Sequence, residues 1–171
     1  MYYYYVFKAR ERPLRLASNQ GDLPERSCLG TGARALSVRQ PWAWALLHAG
    51  KRVENRTWYT SYRGPIYIHA GLQVDYDAID DLAEVIASVD PRPPAYRGAI
   101  VGKGEIVDCV PPDEVPRDQY RWAVGPWCFL LANVRAFSEP FGLRGSLGLF
   151  SIDPRTELKI SATDSGLQSY A

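Results

Sequence analysis

The sequence is poor in the residues that build metal and redox sites. It has three cysteines, Cys28, Cys109 and Cys128, at wide spacings, and only two histidines, His48 and His69. No CxxC pair or Cys/His cluster is present, so no metal site is expected and no cofactor is called for. A thiol count this low and odd argues against a disulfide framework and fits a reducing, cytoplasmic setting, with Cys109 and Cys128 as small core residues. No apolar run approaches the roughly 18–20 residues that span a bilayer, which predicts no membrane segment. The chain opens Met1-Tyr-Tyr-Tyr-Tyr-Val-Phe7 with its positive charge, Lys8, after the apolar run, the reverse of a secretory signal. Net charge is only +1, so any affinity for a polyanion has to come from a local patch. Phosphate-cradling glycine loops, a G-x-S-x-G elbow and an HExxH helix are all missing.

Aromatics are plentiful, with 12% Phe, Trp and Tyr and five tryptophans, most of them expected in or against the core. Residues 1–33 and 154–171 mix charge, Ser, Gly and Pro without a sustained period and read as tails. The domain is expected over residues 34–153. Inside it, Ala35 to Val38 is a short strand, followed by a helix from Trp42 to Ala49 with Pro41 in its first turn and Gly50 ending it. Lys51 to Trp58 alternates as a strand, placing Glu54, Arg56 and Trp58 on one face. Ile66 to Ala70 is a buried strand, and Asp75 to Val89 an amphipathic helix with Ile79, Leu82, Ala83 and Ile86 inward. Strands at 99–110, 127–136 and 147–152 complete an α+β layout whose few strands must curve strongly, or close, to bury so many rings.

Chemistry concentrates between positions 39 and 63, where Arg39, Lys51, Arg52, Arg56 and Arg63 face a single acid, Glu54, among Trp42, Trp58 and Tyr62. Cations hold phosphates and ring faces stack bases, each stacked base being worth roughly 1–3 kcal/mol, so this strip suits single-stranded nucleic acid. It also suits a solvated charged strand over core tryptophans. Lys51 could grip a phosphate, act as a base or favour the preceding helix end; Glu54 could be an acid/base group or orient Arg56. His69, in an apolar strand, reads as a satisfied core histidine, and His48 as exposed. Lys103 and Glu105 share a strand face, as a buried or a cleft-facing pair. The glycines from Gly142 to Gly148 supply turns and close backbone approach.

The run from Leu36 to Trp58, with S-x-x-Q-P-W-A at Ser37–Ala43 and G-K-x-x-E-x-R-x-W at Gly50–Trp58, resembles the ASCH (activating signal cointegrator homology) family. Tyr62 to Ala70, Gly104 to Asp108, Gly125 to Phe129 and Pro140 to Phe150 look like its later strands. The resemblance implies a PUA-like small β-barrel with two or more flanking helices. It implies a cleft beside the first helix where Gln40, Lys51, Glu54, Arg56 and Trp58 converge to bind single-stranded RNA or a nucleotide base. Arg39 and Arg63, from the basic strip, are expected among the nucleic-acid-binding residues. Other members imply hydrolysis of RNA, for which Lys51 with Glu54 or Tyr62 are the candidate catalytic groups. Members that hydrolyse acetylated cytidine use a lysine and, three residues later, a threonine; Lys51 matches, but Glu54 stands where the threonine would be. The family's multidomain members imply a third reading, a protein-interaction module in transcription or translation assemblies.

Overall fold

The computed structural model describes residues 33–88 and 95–164. Cys28 and the segment expected as an N-terminal tail lie outside them. The chain runs β1 (Arg34–Gln40), α1 (Trp42–His48), β2 (Val53–Arg56), β3 (Gly64–Val74), α2 (Tyr76–Asp81), α3 (Ala83–Ser88), β4 (Ala99–Val110), β5 (Trp127–Gly142), β6 (Leu149–Ser151) and α4 (Pro154–Asp164). It is an α+β protein with one mixed six-stranded sheet in the order β2-β5-β4-β3-β1-β6. Among the described residues only the β1–β3 pair is parallel, with Ser37 opposite His69.

This sheet cannot be flat. β2 and β1 lie four strand spacings apart, about 19 Å on a flat sheet, which is further than an arginine side chain reaches. Yet Arg56 Nη2 on β2 donates to the Ser37 carbonyl on β1 at 2.6 Å. The curl is built into the ladders: register shifts fall at Ile100/Gly102, Lys103/Glu105 and Ile106/Asp108 between β4 and β5, and at Ile68/His69 between β3 and β4. Each extra residue bends its strand and raises the local twist. Among the described residues β2 and β6 remain edges with no ladder between them, and side chains span the gap.

The curled sheet wraps one main core of Leu36, Val38, Leu46, Ile66, Ile68, Ile106 and Phe129. α1 plugs into it through Ala43 and Leu46, with Trp44 and Ala45 buried on the other flank beside Val53, Leu82 and Trp122. Gly50 then turns the chain at φ +69°, a left-handed angle that suits glycine. Cys109 and Cys128 are buried free thiols.

Three expectations change. The helix expected over residues 75–89 is two short helices, because Leu82 (φ −100°, ψ 3°) leaves helical geometry between them; the face that turns inward carries Ala78 and Leu82, and Ile79 is exposed. The last long strand continues to Gly142, with Phe137 buried in its extension. The segment after Asp153, expected as a tail, forms α4 as far as Asp164. Asp153 caps it, its carboxylate accepting from Thr156 N–H, and Pro154 occupies the first turn. Ile160 is fully buried with Ala35, Ile100, Phe137 and Ile152. At the far end Asp164 accepts from Arg135 and from Lys103 Nζ at 3.1 Å, and the Arg135 guanidinium holds its carboxyl below the usual carboxylate range.

Ile160→Ala should therefore cost about 2–4 kcal/mol, the range for emptying a buried aliphatic site. Urea denaturation measures it, and a cost under about 0.5 kcal/mol would show that α4 is a tail after all.

Candidate functional site

Between the α1–β2 region and the loop after β5 lies an open cavity of about 1230 Å³. Its floor follows from strand alternation. Glu54 and Arg56, two residues apart on β2, face the same way, and the Glu54 carboxylate lies between two cations. Its Oε2 accepts from Lys51 Nζ at 3.0 Å and its Oε1 pairs with Arg56 Nη2 at 3.1 Å. Lys51 is 1% exposed, and its ammonium also donates to the Val53 carbonyl and stands 5.6 Å from the Trp42 ring centroid. The trio carries a net positive charge in a largely desolvated setting, where pairing is what makes burial tolerable. Arg56 Nε is the one buried side-chain polar atom without a partner among the described residues.

The walls come from other elements. Trp58, packed edge-on against Phe129 at 5.0 Å, forms one side. Asn55 pins the next stretch of chain, its Oδ1 accepting from Val124 N–H at 3.0 Å and Gly125 N–H at 3.1 Å. The loop from Gly142 to Gly148 forms the opposite wall and brings Arg144 to the lip, with Arg39 exposed nearby on β1. Leu147, 96% exposed, and Leu72 stand at the rim. The charged residues lining the space are Arg39, Lys51, Arg56 and Arg144 against Glu54 and Asp75. Asp75 is already committed, accepting from Trp42 Nε1 at 3.0 Å and from Ala78 N–H.

The sequence-derived site residues separate into two groups. Arg39, Lys51, Glu54, Arg56 and Trp58 line the cavity together. Gln40, Tyr62 and Arg63 do not. Gln40 is buried, donating to the Tyr96 carbonyl at 2.7 Å while its Oε1 accepts from Trp44 N–H at the start of α1; it secures backbone. Tyr62 lies in a neighbouring groove and donates to the Pro65 carbonyl at 2.7 Å. Burial raises its phenol further, so it stays protonated. Arg63 pairs with Asp108 at 2.7 Å. Lys51, Glu54 and Tyr62 thus share no reacting position. Glu105 is elsewhere too, accepting from Asn133, and Lys103 serves α4. Among the described residues no group of three His, Cys, Asp or Glu side chains is placed to hold a metal.

Two histidine expectations shift. His48 is half-buried against Trp44, ring centroids 5.9 Å apart, and burial lowers its pKa. His69 is satisfied, as expected of a core histidine, but it lies at the cavity wall: Nδ1 is 3.1 Å from Ser37 Oγ, and Nε2 donates to the Leu143 carbonyl at 2.9 Å. Sequence reasoning missed Ser37, Asn55 and Arg144 as cavity residues. The signal for Ser37 was Gly145, where a Cβ would run into the His69 ring and come 2.7 Å from Ser37 Oγ; for Asn55 it was Gly125, where a Cβ would come 2.9 Å from Asn55 Cβ.

The family model described as the ASCH domain matches residues 36–141, the stretch that builds the sheet apart from β6, and the cavity floor. The chain belongs to the ASCH domain family. It is 26% identical over 133 residues to human Activating signal cointegrator 1 and, at the same identity, to its mouse counterpart. The match covers 72% of this chain but only 23% of those proteins, so the ASCH chain spans about a quarter of the curated relatives it matches. Among solved structures, ASCH from Zymomonas mobilis aligns at a TM-score of 0.45 and 14% identity, over 77% of this chain and 94% of that one. One of its single-residue variants aligns at 0.47. No described helix is long and apolar enough to cross a membrane.

The paired trio predicts an order of costs. Glu54→Gln leaves Lys51 and Arg56 buried against each other and should destabilise the protein by about 3 kcal/mol or more. Lys51→Met keeps the stem's volume and leaves Glu54 its Arg56 partner, so it should cost less. Denaturant midpoints of the two variants settle the order, and equal costs would show that Glu54 does not join the two cations.

Proposed function

We propose that this ASCH domain binds single-stranded nucleic acid, most simply RNA, with one base taken into the cavity and the flanking phosphates on the cations at its rim. A PUA-like barrel, closed at the β2–β1 gap by Arg56 and not by a ladder, would be the scaffold. The observation that carries the reading is the cavity itself: about 1230 Å³, above the roughly 300–1,000 Å³ of small-molecule pockets, with a fixed cationic floor and Trp58 for a base to stack on. Membership of the ASCH family supports it. The exposed leucines at the mouth fit an apolar ligand surface there better than a surface built only for solvent. The two buried thiols suit a reducing, cytoplasmic setting.

In this reading the residues divide the work. Lys51 and Arg56, both tied to Glu54, shape the floor and give it a steady positive potential; they are not free to swing toward a ligand. Arg39 and Arg144, exposed, meet phosphates. Trp58 stacks. Gln40 acts through backbone, and Tyr62 and Arg63 stand outside. The hydrolase reading has no assembled set of groups behind it, and partner proteins of the much longer curated relatives do not transfer to a chain that spans 23% of them.

The test is binding of short single-stranded oligonucleotides as a function of salt. Arg39→Ala and Arg144→Ala should each weaken binding roughly tenfold, the worth of about 1.4 kcal/mol for one charge-assisted contact, and lower the salt slope by about 0.7. Arg63→Ala should leave both unchanged. No detectable binding of RNA or single-stranded DNA at low salt would sink the proposal.

A further inference from the structure

The loop that walls the cavity is fastened by a hydrogen-bond set one proton short of complete. The Leu143 carbonyl can only accept, so His69 Nε2, 2.9 Å away, carries a hydrogen whatever the charge on the ring. Ser37 Oγ has one proton and two neighbours that would take it: the Ser146 carbonyl at 3.0 Å and His69 Nδ1 at 3.1 Å. With a neutral ring, Nδ1 is an acceptor, and Ser37 can serve it or Ser146 but not both. With a charged ring, Nδ1–H donates to Ser37 Oγ, Ser37 O–H donates to Ser146, and Nε2–H donates to Leu143. All three bonds then form, and two of them hold the loop.

We propose that Ser37 and His69 form a proton-dependent latch that positions the Gly142–Gly148 loop, so that uptake of a proton by His69 tightens the cavity around an anionic strand. This rests on the binding reading above and adds its regulation. Gly145 makes the coupling close, since its α-carbon packs on both latch residues with no room for a side chain. Phe150 of β6 covers the ring at 5.9 Å, leaving it 2% exposed. The charged groups sharing the cavity with it are Arg39, Lys51, Arg56 and Arg144, and the acids Glu54 and Asp75; Asp153 lies across the loop, in the groove on its other face. Both cavity acids are already paired or hydrogen-bonded, so the free site offers an imidazolium little compensation, and burial lowers the ring's pKa despite the Leu143 bond. A bound phosphate supplies the missing negative charge. The linkage then has a definite sign. A lowered His pKa gives a stability contribution present above the ordinary value and lost as pH falls through the range below it. The free protein weakens on acidification while the complex takes up a proton and tightens.

Histidine is the side chain that ordinarily changes charge between about pH 5.5 and 8, and only His48 and His69 are present. The experiment is binding of an oligouridine without terminal phosphates, whose bases do not titrate in this range, by wild-type protein, His48→Gln and His69→Gln. Gln at 69 can keep the donor to Leu143 but cannot gain a charge. Wild type and His48→Gln should bind about tenfold tighter at the acid end, one pKa unit of coupling, and His69→Gln should be flat. In parallel, nitrogen-15 NMR of the free wild-type protein should show the Nε2–H tautomer, with the Gly145 and Ser146 amides shifting at the midpoint of the His69 ring. Binding that is flat with pH in wild type, or equally sloped in His69→Gln, overturns the latch and leaves the binding reading intact. A ring that titrates with no response in those amides overturns it as well. Absence of binding at every pH overturns the proposed function and, with it, the proton-linked affinity.

Discussion

A single guanidinium holds the two ends of this fold together. Arg56 starts on β2, at one edge of the sheet, and bonds the Ser37 carbonyl on β1, next to the other edge, while its remaining contact goes to Glu54. An edge-to-edge bridge of that kind exists only if the sheet has curled. The curl is also what creates a concave interior for α1 to plug on one side and a cavity on the other. Arg56 could not sit there without Glu54, and Glu54 in turn takes Lys51. The buried trio is therefore both a side-chain bridge from β2 to β1 and the floor of the cavity. A hydrophobic replacement could pack in the same place, but it would leave the cavity without a positive floor.

The same residues separate structure from recognition within one motif. In the Q-P-W segment, Gln40 and Trp42 spend their polar groups on the Tyr96 carbonyl, the α1 N-terminus and Asp75. In the G-K-x-x-E-x-R-x-W segment, Gly50 and Lys51 turn and anchor the chain so that Glu54, Arg56 and Trp58 arrive on one face. The solvent-facing charges that would meet a ligand are Arg39 and Arg144, one just before the first motif's glutamine and one outside both motifs.

Much of the architecture was readable from the chain because period and punctuation agree there. The strand through Glu54 and Arg56, the helix between Pro41 and Gly50, and the buried strand through His69 follow from alternation, caps and apolar runs, and the ASCH motifs group Lys51, Glu54, Arg56 and Trp58, which line one cavity. What could not be read depends on contacts between distant segments. Gln40 looks like a ligand-facing amide until the Tyr96 carbonyl, 56 residues on, is seen to claim it. Tyr62 and Arg63 follow the motif in sequence, but the segment that leads into β3 takes them past the cavity, to the Pro65 carbonyl and to Asp108. His69 looks like core because its strand is apolar, and only the return of the Leu143–Ser146 loop puts it at a wall. α4 was hidden by its composition, since Ile160 is its one fully buried residue, although Asp153-Pro154 is a helix-start signal.

The central claim is that one cavity, and no other face, receives the nucleic acid. Backbone amide shifts of the labelled protein, followed during titration with a short single-stranded oligonucleotide, test it most directly. The account predicts that the largest changes fall on Arg39, Asn55 to Trp58 and Arg144 to Leu147, with α4 and the Arg63–Asp108 region unmoved. Changes centred on α4 or on the Tyr62 groove, or none at saturating oligonucleotide, would contradict it.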